Sequence, residues 1–273
     1  MVRGMYTATS GMLTVIRDIN VKSNNMSNLS TAGYKQDRLV TTTFAEALAV
    51  RQEIRTTGAK YEIGHSIRGK KALELKTDFS QGALQETNRH LDFAIGGKGF
   101  FTVEAVDEDG EDLVYEGKYY TRNGQFQIDP EGYLIDGLGH YVLDDGDSPI
   151  FVERYDILGD EFGNLFTGEG EHIATLGIYN PRNPDLLIKK DEFPFVILDE
   201  ATAEIENEDG EYELEHIDFD GIIKQGYIER SNTDIASNMA GLISASRSFQ
   251  SMSQVIKTID AIVGKSVNDL GRI

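Results

Sequence analysis

Residues 231–270 read SNTDIASNMAGLISASRSFQSMSQVIKTIDAIVGKSVNDL. Ile235, Leu242, Phe249, Ile256, Val263 and Leu270 recur every seventh residue, with Ala245, Met252 and Ile259 on a companion track. An apolar period of seven sustained over five steps predicts a long amphipathic helix and favours a left-handed supercoil with a partner helix. The alternative is an ordinary amphipathic helix lying on a globular core. Ser231 and Asp234 have the spacing of a capping box, so the helix is expected to run from about 232 to 264, roughly 50 Å at 1.5 Å per residue.

The N-terminus carries a matching ladder of Met5, Met12, Ile19 and Met26, with Ala8, Val15 and Leu29 beside it. It predicts a helix from about Gly4 to Asn28, stopped by Ser30, Thr31 and Gly33. Gly4 and Gly11 weaken that helix; they mark either fraying at a chain end or a close approach by another helix. Asn20, Asn24 and Asn28 share one face, where amides either fix register against a partner or simply face solvent. Helices at both ends around a different middle predict that the termini pack together and against other copies.

The middle reads as β-structure. Residues 93–103 form two apolar strands around a glycine turn. Residues 119–143 read as a meander with turns at Asn123-Gly124, Asp129-Pro130-Glu131-Gly132 and Asp136-Gly137. More strands are expected near 150–152, 175–179, 195–198, 212–216 and 222–227. No βαβ rhythm of about 30 residues occurs. The expected fold class is α+β: N- and C-terminal helices pairing as a coiled coil, with a central all-β domain of barrel or sandwich type. The expected divisions are a helical assembly segment over 1–40, a linker or extended arm over 41–79, the acidic β-domain over 80–229, and the C-terminal helix over 230–273. Within the arm, residues 44–50 suggest a short helix.

Charge separates the same regions. Of 26 Lys/Arg and 46 Asp/Glu, residues 1–70 hold 10 and 5, residues 222–273 hold 6 and 4, and the middle holds 10 and 37. The ends are therefore mildly basic and the middle carries −27 of the net −20. Such a polyanion repels phosphates, so nucleic acid is not an expected partner. No run of about 18 apolar residues predicts a membrane span, and the first residues lack the pattern of a cleaved secretory signal. With no cysteine, disulfides and thiolate chemistry are excluded.

Catalytic and cofactor motifs fail on inspection. Gly96-Gly97-Lys98-Gly99 lacks the Ser/Thr and the upstream glycine of a phosphate loop. Residues 107–118 lack the sixth-position glycine and the final glutamate of a calcium loop. The five histidines have no metal-binding spacing. The expectation is a protein without cofactor or metal, and not an enzyme.

Five ordered stretches resemble the bacterial flagellar rod and hook proteins. They are SNNMSNLSTAGYK (23–35), SQGALQET (80–87), LDFAIGGKGFF (91–101), YTRNGQF with GYLI (120–126 and 132–135), and QGYIERSNTDI (225–235). The resemblance implies a structural subunit of the basal-body rod that assembles into a hollow helical tube and transmits torque. Its partners would be other copies, other rod and hook subunits and the flagellar type III export apparatus, with no membrane insertion and no cleaved signal. A hook-type or other axial subunit is the nearest alternative; a secreted oligomeric adhesin or capping protein is a more distant one. The 41–79 segment matches neither the distal nor the proximal rod type, which leaves that position open. The resemblance implies that the terminal helices form the inner layer through Met5, Met12, Ile19, Met26, Ile235, Leu242, Phe249, Ile256 and Val263. Asn20, Asn24, Asn25, Asn28, Gly33 and Tyr34 fall in or beside its signature, and Phe44 with Leu48 has the spacing of an early export signal.

Overall fold

A computed structural model describes residues 2–43, 47–52, 60–66, 70–104, 118–152, 157–181, 184, 187–189, 196–197, 205–206, 212–213 and 219–270. Its described part is α+β, with one long helix at each end and a mostly β middle. The chain divides into two compact units. Unit 1 comprises Met1–Ser27, Asp37–Lys76 and Asp234–Ile273; unit 2 comprises Asn28–Gln36 and Thr77–Thr233.

In unit 1, α1 (Val2–Ser27) and α2 (Ile235–Leu270) pack together. Gly4 faces Ile259, Gly11 faces Met252, and the Lys22 stem lies over Gly241. Advancing along α1 moves each contact back by the same number of residues along α2, so the helices are antiparallel and in register. At 1.5 Å per residue the register holds for about 27 Å.

The start of α2 differs from the expected capping box. Asp234 is the cap: its carboxylate accepts the Ala236 and Ser237 N–H groups at 3.3 and 3.1 Å. A carboxylate one residue before the helix reaches these otherwise unpaired donors directly. Ser231 instead bonds Thr233.

Among the described residues, the rest of unit 1 forms two strand pairs. β1 (Asp37–Thr43) pairs with β4 (Lys70–Thr77), and β2 (Ala47–Gln52) pairs antiparallel with β3 (Lys60–Ser66). The short helix expected over 44–50 is therefore strand from Ala47 onward. A helix of seven residues is marginal by itself, whereas the β3 partner satisfies the backbone of β2 along its length.

Unit 2 begins with β5 (Leu84–Glu86), β6 (Phe93–Gly96), β7 (Phe100–Glu104) and β8 (Lys118–Thr121). Next come β9 (Gln127–Ile128), β10 (Leu134–Ile135) and β11 (Tyr141–Val142), then β12 (Ile157–Gly159), β13 (Asn164–Thr167) and β14 (His172–Thr175). The last are β15 (Ile178–Tyr179), β16 (Leu187–Ile188), β17 (Val196–Ile197), β18 (Ile205–Glu206), β19 (Tyr212–Glu213), β20 (Ile222–Gln225) and β21 (Tyr227–Glu229). The largest sheet runs β15-β7-β11-β10-β9, with β8 also on β7; β12, β13 and β14 form a second sheet. Residues 150–152, expected as a strand, are held by an isolated bridge at Phe151 and by backbone bonds of Ile150 and Val152 rather than in a regular strand.

The apolar runs Phe93–Ile95 in β6 and Phe100–Phe101 with Val103 in β7 are buried, which is why these strands lack a strict polar alternation. Phe93, Ile95, Phe101, Val103, Phe126 and Leu134 anchor the core, and the Phe101 and Phe126 rings meet edge to face at 5.2 Å. The two strands are not a hairpin: β6 pairs with β20 and β7 with β8, β11 and β15.

Asn123-Gly124 is likewise no hairpin turn, since β8 and β9 do not pair. The glycine is required by packing: the Phe93 N–H donates to the Gly124 carbonyl at 2.9 Å, and a β-carbon at 124 would overlap the Phe93 carbonyl.

Five turns share one construction, at 129–133, 136–140, 144–148, 160–164 and 167–171. The first residue is Asp129, Asp136, Asp144, Asp160 or Thr167, and its side-chain oxygen accepts the N–H four residues on at 2.6 to 3.1 Å. The fourth residue adopts a left-handed φ: Gly132, Gly139, Asp147, Gly163 and Gly170. A side chain that satisfies a backbone donor, followed by a residue tolerant of positive φ, makes a compact loop between strands. The expected turns at Asp129-Pro130-Glu131-Gly132 and Asp136-Gly137 are two of these five. Part of the acidity of the middle is thus turn chemistry.

Candidate assembly surfaces and the buried ion cluster

Unit 1 presents two kinds of apolar side chain on its helices. Met12, Ile19 and Met26 on α1 and Leu242, Phe249, Ile256 and Val263 on α2 are half-buried, while Met5 and Ile235 are exposed. Gly11 is buried, and a β-carbon there would lie 3.0 Å from the Met252 Sδ. Outside the paired faces, Tyr6 and Leu13 stand seven residues apart on α1, as do Val255 and Ile262 on α2, and all four are exposed. An open groove on α2 is lined by Ala240, Ile243, Ser244, Arg247, Ser248 and Met252. No helix among the described residues is long and apolar enough to cross a membrane.

The asparagines separate. Asn20 and Asn24 lie at the surface and Asn28 is half-buried, accepting a bond from the Thr31 hydroxyl at 3.2 Å. Asn25, off that stripe, is buried. Its amide donates to the Asp37 carbonyl at 2.8 Å and accepts the Asp37 N–H at 2.9 Å, joining α1 to the first residue of β1. Phe44 and the side chain of Leu48 lie outside the described residues, as do the acidic residues 107–112.

Unit 2 holds a cluster that spacing does not reveal. Lys35, Arg122 and Glu229 are all buried. Lys35 Nζ donates to Glu229 Oε1 at 2.6 Å and to the Ser80 carbonyl at 2.9 Å. Arg122 donates to Glu229 Oε2 at 3.1 Å and to the Gly97 carbonyl at 2.8 Å, with its guanidinium 5.1 Å from the centre of the Phe100 ring. The Gly82 N–H completes the carboxylate at 2.7 Å. Burial pushes the Lys35 ammonium below the ordinary lysine range, against the attraction of Glu229, and acts on Arg122 in the same direction.

Gly33 and Tyr34 lie beside this cluster. The Gly33 N–H donates to the Glu229 carbonyl at 2.7 Å, its φ is +69°, and a β-carbon there would overlap the Arg122–Asn123 peptide. The Lys189 ammonium bonds the Lys35 carbonyl and lies 4.1 Å from the centre of the Tyr34 ring. A second layer is built on Asn232, which accepts the Gln36 N–H at 2.8 Å and donates to the Asp78 and Ser80 carbonyls.

Each of the five stretches that resemble rod and hook proteins supplies a partner: Lys35, Ser80 and Gly82, Gly97 and Phe100, Arg122, and Glu229. The signal was present there as single charges embedded in turn-rich or apolar sequence. It carried no spacing, because the three residues are separated by most of the chain.

A pair of antiparallel terminal helices with apolar side chains left on their outer faces is the arrangement of a subunit that offers surfaces for assembly. Known proteins place it further. Residues 94–185 match the family model described as "Flagellar hook protein FlgE/F/G D1 domain", and residues 224–270 match "Flagellar basal body rod FlgEFG protein C-terminal". The chain is 31% identical over 280 residues to the flagellar basal-body rod protein FlgG of Bacillus subtilis, covering 98% of this chain and 99% of that one. It is 29% identical over 282 residues to FlgG of Borreliella burgdorferi, covering 98% of each. It is 26% identical over 270 residues to the basal-body rod protein FlgF of Caulobacter vibrioides, again covering 98% of each. The chain belongs to the flagellar basal-body rod protein family, whose members are structural rather than enzymatic.

Proposed function

We propose that this chain polymerises through its terminal helices into the hollow helical tube of the basal-body rod and carries torque toward the hook and filament. The observation that carries this reading is the second apolar ladder on each helix, Tyr6 with Leu13 and Val255 with Ile262, outside the faces that already pair. Contiguous exposed apolar surface marks a place for a partner. Open helical growth needs heterologous contacts, so each helix must present more than one sticky face.

In this reading the helix pair supercoils as a coiled coil. The exposed Asn20 and Asn24 set register against neighbouring copies, a use of buried amides that costs stability. The other partners are rod and hook subunits in the basal body, reached through the flagellar export apparatus, with Phe44 and Leu48 as the export element. The central β unit closes as a small barrel or sandwich.

The test is polymerisation of purified protein carrying Leu13→Asp and Ile262→Asp. Charges at exposed positions leave the α1–α2 pair intact, so the monomer is expected to keep its helicity and fail to polymerise. Polymers formed as readily as by the parent chain would refute the reading.

A further inference from the structure

The cluster in unit 2 contains two cations and one carboxylate, drawn from beside both terminal helices and from the middle of the chain. Lys35 and Glu229 are each 1% exposed and Arg122 4%. Arg122 Nε has no hydrogen-bond partner among the described residues. Among the described residues Glu229 is the carboxylate bonded to both buried cations, and it also takes the Gly82 N–H.

We propose that this cluster is a closure device: unit 2 reaches its folded state only when the segments next to both terminal helices have been delivered to it. The requirement is electrostatic. A buried ion pair contributes little net stability compared with apolar residues of similar size, but removing one partner leaves an uncompensated buried charge. Without Glu229 there would be two such charges side by side, each repelling the other. The backbone around the cluster enforces the same condition. The Gly33 N–H bonds the Glu229 carbonyl, the Arg230 N–H bonds the Ala83 carbonyl at 2.9 Å, and Asn232 ties residues 36, 78 and 80 together. A chain that ends before Glu229 supplies the core of unit 2 but not its closure. The device is independent of polymerisation and holds for a monomer.

Charge counting distinguishes this from ordinary packing. Removing Lys35 leaves Arg122 bonded to Glu229; removing Glu229 leaves both buried cations without their bonded carboxylate, with Asp78 acting on Lys35 only through its charge. Native-state hydrogen exchange on the full-length chain tests it, using the amides of Phe93, Leu134 and Ile150. Their bonds go to Gly124, Ile150 and Val142; the first lies two residues from Arg122, and the other two are removed from the cluster.

In Glu229→Gln all three amides are expected to speed up together, by about a hundredfold or more, or to lose protection outright. Lys35→Met is expected to shift them far less. The triple variant Lys35→Met, Arg122→Met, Glu229→Met removes the charges while keeping bulk, and is expected to bring all three amides back toward the parent rates. Three results overturn the proposal: acceleration confined to Gly33, Gly82 and their neighbours; equal effects of Glu229→Gln and Lys35→Met; or a triple variant as unprotected as Glu229→Gln. If Glu229→Gln does not fold at all, recovery of the fold in the triple variant supports the device and its failure refutes it.

Discussion

Gly11 on α1 lies against Met252 on α2, leaving room for no more than the methionine sulfur. A β-carbon at 11 would meet the flexible end of a side chain that can turn aside. Gly11→Ala is therefore expected to be neutral or stabilising by up to about 1 kcal/mol, through its better helix propensity. Gly11→Leu overfills the contact and is expected to cost about 1–3 kcal/mol. Thermal melts of the helical signal in monomeric protein measure both.

Asn25 both donates to and accepts from the backbone of Asp37. Asn25→Ala removes both bonds from a buried side chain, for a loss of about 2 kcal/mol. Asn24→Ala, at the surface four residues after Asn20, is expected to lie within about 0.5 kcal/mol of the parent. Urea unfolding of the two variants checks the contrast.

The five similar turns predict graded effects of glycine replacement. At Gly139 and Gly170 a β-carbon meets nothing within 4 Å, so alanine costs only its left-handed conformation, about 1 kcal/mol. At Gly132 it would also lie 2.9 Å from the Phe151 ring, and the loss is expected to be larger. Asp147 occupies the same conformation with a side chain, so Asp147→Gly is expected to be neutral or slightly stabilising, despite losing an exposed ion pair with Lys118. Chemical denaturation ranks the four.

Acid stability of unit 2 follows from the same turns. Burial raises the Asp136 carboxyl, but the bonds from the His140 ring and backbone and from the Leu138 N–H outweigh it and hold the group below the usual carboxylate range. Asp160 is lowered against the same opposition by its bonds from Asn164, Phe162 and Gly163. A depressed folded-state value stabilises above the unfolded value of about 3.9, and that contribution disappears as pH falls through the folded value. Stability is therefore expected to fall steadily below about pH 4, and Asp136→Asn to flatten that fall. Urea midpoints between pH 5 and 2 would reveal it; an unchanged slope in the variant would contradict the assignment.

How much of this was legible follows from the range of each interaction. The helices were, because a period of seven is a local signal repeated many times. Turns at Asp129 and Asp136 were, because their chemistry sits within five residues; the pattern shared by Asp144, Asp160 and Thr167 is equally local, but at Asp160 and Thr167 it lacks the Pro-Glu-Gly or Asp-Gly run that marks the first two. Asn123-Gly124 misled because the same dipeptide that suits a hairpin also suits a close crossing, and only the position of Phe93 decides between them. The cap moved from Ser231 to Asp234 because a carboxylate one residue before the helix reaches both N–H groups. Lys35, Arg122 and Glu229 could not be grouped by spacing at all, since only the fold brings them together.

The central claim, that the outer faces of the terminal helices are buried between copies, has a direct measurement. The chain contains no cysteine, so Leu13→Cys, Ile262→Cys and Glu169→Cys each place one thiol at a known position. Thiol labelling is compared in monomer and polymer. The account predicts rapid labelling of all three in the monomer, and in the polymer protection at positions 13 and 262 with position 169, on an exposed turn, still reactive. Equal labelling of positions 13 and 262 in monomer and polymer would contradict it.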